Sequence, residues 1–132
     1  MKMMILAVAV TSLSYGAINA QTTDKLQLDE AARVDVQRSV LSKELIQLRD
    51  SIGISIRVAD ILLHKAKIET QKSTYENAKA QLIEYQKRVK TDLDETSLTA
   101  TNAWTGESEK RLKMSMNDTR REYNRIKNTV LK

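Results

Sequence analysis

Few residues of this chain are suited to acid–base or metal chemistry, and the pair that stands out is Asp60 and His64. They are four positions apart, one turn of a helix, and this spacing permits two ligands to one metal ion. His64 is the sole histidine and the chain has no cysteine, so it lacks the further nitrogen and sulfur ligands that a zinc site needs. We therefore expect a partly exposed histidine with a carboxylate neighbour, and neither a metal nor another cofactor.

The usual means of catalysis are also scarce. No serine or cysteine nucleophile can be assigned beside His64, and three glycines in the whole chain cannot build the usual phosphate-binding loops. Paired carboxylates can hydrolyse glycosidic bonds, but they need a cleft of a kind that thin helical seams seldom form. The sequence thus predicts that the protein is not an enzyme.

The first twenty residues have the layout of a secretory signal peptide. Lys2 is their only charge, an apolar run covers residues 5–10, and small or polar residues follow as far as Ala20. The apolar core is shorter than the roughly 20 residues needed to cross a bilayer, which favours cleavage near Ala20 over a permanent anchor. We expect residues 1–20 to be a signal peptide and residues 21–132 to be a single helical domain that is periplasmic or secreted.

Helix is favoured through most of the remaining chain, because proline is absent and good helix-forming residues dominate. A first apolar stripe, interrupted at Arg38, is formed by Ala31, Val34, Leu41, Leu45, Leu48 and Ile52. A second stripe recurs every seven residues, as Ile61, Ile68, Tyr75, Leu82 and Val89. On one helix these stripes would lie on opposite faces. Either the chain breaks between residues 50 and 60, most easily at Gly53, or a single rod contacts two partners.

Two local patterns compete with this interpretation. Residues 51–58 alternate between apolar and other side chains as a strand does, but the chain has no second alternating segment to pair with them. Ser73 and Glu76 have the spacing of a capping box, yet the second stripe runs through them, so we interpret them as helix interior.

Residues 91–106 collect threonine, serine and glycine while the periodicity lapses, so we predict a connecting loop there. The last helix is expected from Glu107 to the end, on a stripe formed by Leu112, Met116, Thr119, Tyr123, Ile126 and Val130. Trp104 lies in the loop. It is expected either to pack the loop onto the helices or to be exposed as an anchor for a partner or a membrane.

Most of the net charge of +5 belongs to the last helix. Residues 21–100 carry 13 basic and 13 acidic side chains, whereas residues 101–132 carry 8 basic and 4 acidic ones. Such an excess attracts acidic proteins, phosphate-bearing polymers or anionic surfaces, although a solvated helix face with cations near its C-terminus has the same composition. We predict partner contacts from Lys110, Arg111, Lys113, Arg120, Arg121, Arg125, Lys127 and Trp104. Nucleic acid is not expected, because no DNA- or RNA-binding motif is present.

The sequence therefore predicts an all-α protein, an elongated helical hairpin or bundle, or a coiled coil, of two to three long helices after the signal peptide. The three stripes offer more apolar edge than one hairpin covers, which favours a homo-oligomer or a helical partner. The alternative is a closed three-helix monomer with turns at Gly53 and in the loop at 91–106.

Residues 98–102, Leu-Thr-Ala-Thr-Asn, resemble the Leu-Thr-x-x-Gln box of the Spy type, with Asn102 in place of the glutamine. In general layout the chain is also similar to the periplasmic holdase chaperones Skp and Spy. The resemblance implies a holdase as one alternative, but the box occurs once and no functional residue is carried over. We expect a protein-binding adaptor or structural component of the cell envelope, and the second alternative is binding to anionic surfaces or polymers through the last helix.

Overall fold

The computed structural model describes the backbone of residues 15–132 and the side chains from residue 29 onward. This part of the chain is all-helical and contains no strand, which confirms the predicted fold class. Helix α1 spans Tyr15–Lys65, α2 spans Glu69–Leu98 and α3 spans Gly106–Thr129, with one 3-10 turn at Thr101–Ala103. The predicted signal peptide, residues 1–20, lies outside the residues whose side chains are described.

The described residues divide into two compact units, with the boundary between Val36 and Gln37. Within the first unit, residues 15–36 form the beginning of α1. Within the second unit, residues 37–65 of α1 form a three-helix bundle with α2 and α3, as the prediction of a helical bundle requires.

Side-chain pairs establish the direction of each helix in the bundle. Helices α1 and α2 are antiparallel, as shown by the hydrogen bonds of Arg38 with Thr96, Arg49 with Gln86, and Asp60 with Lys79. Helices α2 and α3 are antiparallel too, as shown by the pairs Arg88 with Glu122, Asp92 with Ser115, and Glu95 with Arg111. It follows that α1 and α3 run parallel, and the hydrogen bond between Ser55 and Tyr123 joins them.

The core of the bundle is aliphatic, with two tyrosines among its members. Its apolar residues are Leu41, Leu45, Leu48, Ile52 and Ala59 of α1, Ala78, Leu82, Tyr85 and Val89 of α2, and Leu112, Met116, Tyr123 and Ile126 of α3. The first stripe from Leu41 to Ile52 and the last stripe from Leu112 to Ile126 are therefore confirmed as core. Each fully buried Leu or Ile contributes about 1.5–3 kcal/mol relative to an exposed one, so burial alone accounts for most of the driving force.

Of the alternatives that the sequence leaves open, neither a break at Gly53 nor a strand at 51–58 occurs, because α1 continues as a helix to Lys65. A β-carbon at Gly53 would lie 3.2 Å from Nε2 of Gln86, which is the end of a flexible side chain, so α2 passes close to this residue without requiring a glycine there. The chain turns instead at residues 66–68, and Ile68 begins α2 without any side-chain cap. Neither glycine nor proline stands at this turn, so its position follows from helix packing rather than from a local signal.

The turn divides the second stripe. Beyond it, Leu82 and Val89 are fully buried, whereas Ile61 and Ile68 remain more than half exposed. Ser73 lies inside α2, as interpreted from the sequence. The repeat of seven therefore predicted the core of α2 but extended it wrongly into α1.

The predicted loop at 91–106 is wrong over its first half, because α2 continues to Leu98. The threonines that suggested a loop donate their hydroxyl hydrogens to carbonyls four residues earlier: Thr91 to Lys87 at 3.0 Å and Thr96 to Asp92 at 2.7 Å. Bonded in this way, they remain within the helix. Helix α3 begins with a capping box, in which the hydroxyl of Thr105 accepts from the backbone of Ser108 at 3.1 Å.

Candidate interaction site

The predicted basic residues surround α3 rather than forming one compact patch. Projected at 100° per residue, Lys110, Lys113, Arg121 and Arg125 point away from the core, whereas Arg120 and Lys127 lie on the flank toward α1. We call the surface that runs from this flank to the outward side the basic face, and it consists of Lys110, Lys113, Arg120, Arg121, Arg125 and Lys127. Arg111 lies on the flank toward α2, where it lines a hollow of about 640 Å³ together with Asp118 and Glu122.

Three of the predicted cations are paired with acids. Arg111 pairs with Glu95 of α2, while Lys113 pairs with Glu109 at 3.4 Å and Arg121 with Asp118 at 2.9 Å. Exposed ion pairs of this kind contribute about 0–1 kcal/mol, so they exchange readily for contacts with a partner.

The remaining cations of the basic face lie outside ion-pair distance of the acidic groups in residues 29–132. Arg120 donates to the amide oxygen of Asn117 at 3.0 Å. Within residues 29–132, Lys110, Arg125 and Lys127 form no ion pair, and the ammonium group of Lys127 lies 6.0 Å from the ring of Tyr123. Four of the six cations of the basic face are therefore not neutralised by an ion pair within residues 29–132.

Trp104 is buried, with 7 % of its surface exposed, and packs against α1. The guanidinium carbon of Arg38 lies 5.3 Å from the centre of its ring. This is the arrangement expected of a residue that fixes the loop to the helices, and it leaves little of the ring accessible to a partner. The basic face, rather than Trp104, is the accessible part of the predicted site.

Arg38 has a role that the sequence analysis missed, because it was treated only as an interruption of the first stripe. Its guanidinium group donates to the carbonyl oxygens of Thr96 at 3.0 Å and Ser97 at 3.2 Å. These carbonyls belong to the last turn of α2, where no further helical N–H is available to them. A cation in an otherwise apolar stripe was the signal that could have pointed to this contact.

A buried carboxylate joins α2 to α3 beside the basic face. Asp92 accepts a hydrogen bond from the hydroxyl of Ser115 at 2.6 Å, and burial raises the pKa of Asp92 above its ordinary value. One turn away, the hydrogen bond from Arg111 lowers the pKa of the exposed Glu95. Burial and pairing therefore shift the pKa values of these two carboxylates in opposite directions. Both carboxylates help to align α2 with α3.

Asp60 and His64 are neighbours, with 3.8 Å between Nδ1 of His64 and the carboxylate of Asp60, and each also has another polar partner. Nδ1 of His64 lies 2.8 Å from the backbone oxygen of Asp60, and the carboxylate of Asp60 accepts a hydrogen bond from Lys79 at 2.7 Å. This bond from Lys79 lowers the pKa of Asp60. No group of three or more His, Asp or Glu residues in the described part of the chain is arranged to hold a metal ion.

A shallow groove between α1 and α3 also escaped the sequence analysis. Its volume is about 280 Å³, and Ile54, Val58, Tyr123 and Leu131 supply apolar lining, with Lys127 of the basic face at one edge. The alternation at 51–58, which by itself resembles a strand, places Ile54 and Val58 along this exposed edge of α1.

Comparison of the chain with protein-family models, curated proteins and solved structures finds no match. Among the described helices, none is long and apolar enough to cross a membrane. Arguments about function therefore rest on the surfaces of the bundle itself.

Proposed function

We propose that this protein is an exported, non-enzymatic adaptor or structural protein of the cell envelope, which binds an acidic protein partner through the basic face of α3. The observation that carries the proposal is the placement of six cations on one side of α3, from the flank toward α1 to the outward side. Outside the first turn of α3, Glu122 lies toward α2, and Asp118 pairs with Arg121 at the border of the basic face. An acidic surface laid along α3 would meet cations over about four helical turns.

Export is the second part of the proposal, and its support is the single charge at Lys2, the apolar run over 5–10 and the small residue Ala20. The expected mature protein begins at Gln21 and is found in the periplasm or outside the cell. Mass spectrometry of the native protein tests this directly. A cytoplasmic species that retains Met1 would contradict export without affecting the argument about α3.

The contact is tested by reversing charge on the basic face with the triple variant Arg120→Glu, Arg121→Glu and Arg125→Glu. The matched control reverses three exposed lysines elsewhere, namely Lys67, Lys87 and Lys90. Both variants change the net charge equally, so a general electrostatic effect would appear in both. Circular dichroism confirms that each remains helical.

Three measurements on these variants separate the candidate functions. An adaptor captures one defined acidic partner at fixed stoichiometry after crosslinking in the envelope, and only the α3 variant loses it. A holdase instead suppresses the aggregation of several unrelated unfolded proteins. A protein that binds anionic surfaces associates with phosphatidylglycerol vesicles in a salt-dependent way. If none of the three changes in the α3 variant, the basic face is a solvated surface and the proposed contact is wrong.

A further inference from the structure

The two grooves on either side of α3 differ in charge. Toward α2, the hollow of about 640 Å³ is lined by the acids Glu107, Asp118 and Glu122 as well as by cations. Toward α1, the groove of about 280 Å³ is lined by a single charged side chain, Lys127, and by uncharged residues. We call this second groove the α1–α3 groove. A partner rich in acids would meet like charge on the α2 side, so charge favours its approach from the α1 side.

The walls of the α1–α3 groove are apolar and its floor is already hydrogen-bonded. Ile54 and Val58 of α1 are 55 % and 36 % exposed, and Leu131, just after α3, lines the groove with them. On the floor, the hydroxyl groups of Ser55 and Tyr123 form a buried hydrogen bond of 3.1 Å. A partner can therefore bury apolar side chains in the groove without leaving these two hydroxyl groups unpaired.

Two cations stand along the α3 edge of this groove at the spacing of a helix. Arg120 and Lys127 are seven residues apart on the flank toward α1, or about 10 Å along the axis. Arg120 donates to the amide oxygen of Asn117, and Lys127 lies near the ring of Tyr123. A fatty acid carries one anionic group and would neutralise only one of these cations. A helix that carries acids seven residues apart presents both acids on one face and matches the pair.

We infer that the α1–α3 groove binds an amphipathic helix of the acidic partner. This inference rests on the proposed function and names the kind of segment that the partner presents. Apolar side chains of that helix, spaced three and four residues apart, pack on Ile54, Val58 and Leu131. Its acidic side chains, spaced seven residues apart, face Arg120 and Lys127. The part of α1 that lines the groove, residues 51–58, is about 10 Å long, so two helical turns of the partner cover it.

The probe for this site is a synthetic alanine-based helical peptide with leucine every three or four residues and glutamate every seven, at the edge of the leucine face. A fluorescent label on the peptide reports binding to the full chain as a rise in anisotropy. One control peptide has lysine in place of glutamate, and another has the same composition with its leucines scattered around the helix. We expect both controls to bind about tenfold more weakly than the glutamate peptide.

Exchange of charge tests where the acids of the partner lie. The double variant Arg120→Glu, Lys127→Glu should reverse the preference and bind the lysine peptide about tenfold more tightly than the glutamate peptide. A variant that prefers neither peptide would show that these two cations do not face the bound helix, and would overturn the inference.

Loss of the apolar wall tests the groove itself. The double variant Ile54→Gln, Val58→Gln leaves the net charge unchanged and should weaken binding of the glutamate peptide about tenfold. The matched control is Ile46→Gln, Ile61→Gln, at two exposed isoleucines of α1 outside the groove, and it should bind as the wild type does. Circular dichroism confirms that both variants remain helical.

The outcomes separate this inference from the proposed function. If the triple α3 variant loses the acidic partner in the envelope while Ile54→Gln, Val58→Gln captures it as the wild type does, the proposed function stands and the groove is not the site. A glutamate peptide that binds no more tightly than the two control peptides also overturns the inference. Binding of dodecanoate that depends on Ile54 and Val58, without binding of the peptide, would assign the groove to an acyl chain instead.

Discussion

Arg38 is predicted to stabilise the connection between α2 and α3, and replacing it with alanine tests this. The substitution removes two hydrogen bonds to the carbonyl oxygens of Thr96 and Ser97 and the stacking on Trp104. A hydrogen bond from a partly exposed charged donor contributes about 1 kcal/mol, and the cation–π contact adds about 0.5–1 kcal/mol. We therefore expect Arg38→Ala to lower the free energy of unfolding by about 2–3 kcal/mol.

Two signals measure this effect in one urea titration. Circular dichroism gives the free energy of unfolding, and fluorescence reports the loop, because Trp104 is the only tryptophan. In the folded variant the emission of Trp104 should shift to the red, since removal of Arg38 uncovers one face of the ring.

Two further variants distinguish the effect of the planar guanidinium group of Arg38, with its two hydrogen bonds, from the effect of its positive charge alone. Arg38→Lys keeps the charge near the end of α2 but loses the planar group, so we expect about half of the destabilisation. Arg49→Ala removes an exposed arginine that pairs only with the adjacent Asp50, and should cost less than about 0.5 kcal/mol. Two results together would refute the proposed role of Arg38. The free energy of unfolding of Arg38→Ala would lie within about 0.5 kcal/mol of the wild-type value, which is the size of the control's effect. The emission of Trp104 would also be unchanged.

Three other substitutions test the bundle. Gly53→Ala should stabilise it by up to about 1 kcal/mol in urea unfolding, provided that the flexible amide of Gln86 moves slightly, and a loss of stability would show that this amide is held in place. Asp92→Asn keeps an acceptor for Ser115 and should raise stability at pH 7. Because the pKa of Asp92 is raised in the folded state, this gain in stability should shrink on acidification and vanish below the ordinary aspartate pKa of about 3.9. A gain that is independent of pH would contradict this explanation. Thr105→Ala removes the cap of α3 and should cost about 1 kcal/mol, with Thr105→Ser as the variant expected to retain it.

The sequence was sufficient to predict the helical class and most of the core, because a stripe with spacings of three and four residues fixes which side of a helix is buried. Leu41 and Leu45 on α1, and Leu112 and Met116 on α3, are buried as their spacing indicates. Such spacing is a local property of each helix. It needs no knowledge of where the other helices lie.

The turn between α1 and α2 could not be predicted in the same way. Gly53 is the obvious helix breaker, yet it lies within α1, while the turn at residues 66–68 has no breaking residue and no cap. The helix passes through Gly53 because Ile52 and Ser55, on either side of it, are buried in the bundle, which is a tertiary requirement. The same limit applies to Arg38, whose contacts lie 58 and 59 residues further along the chain.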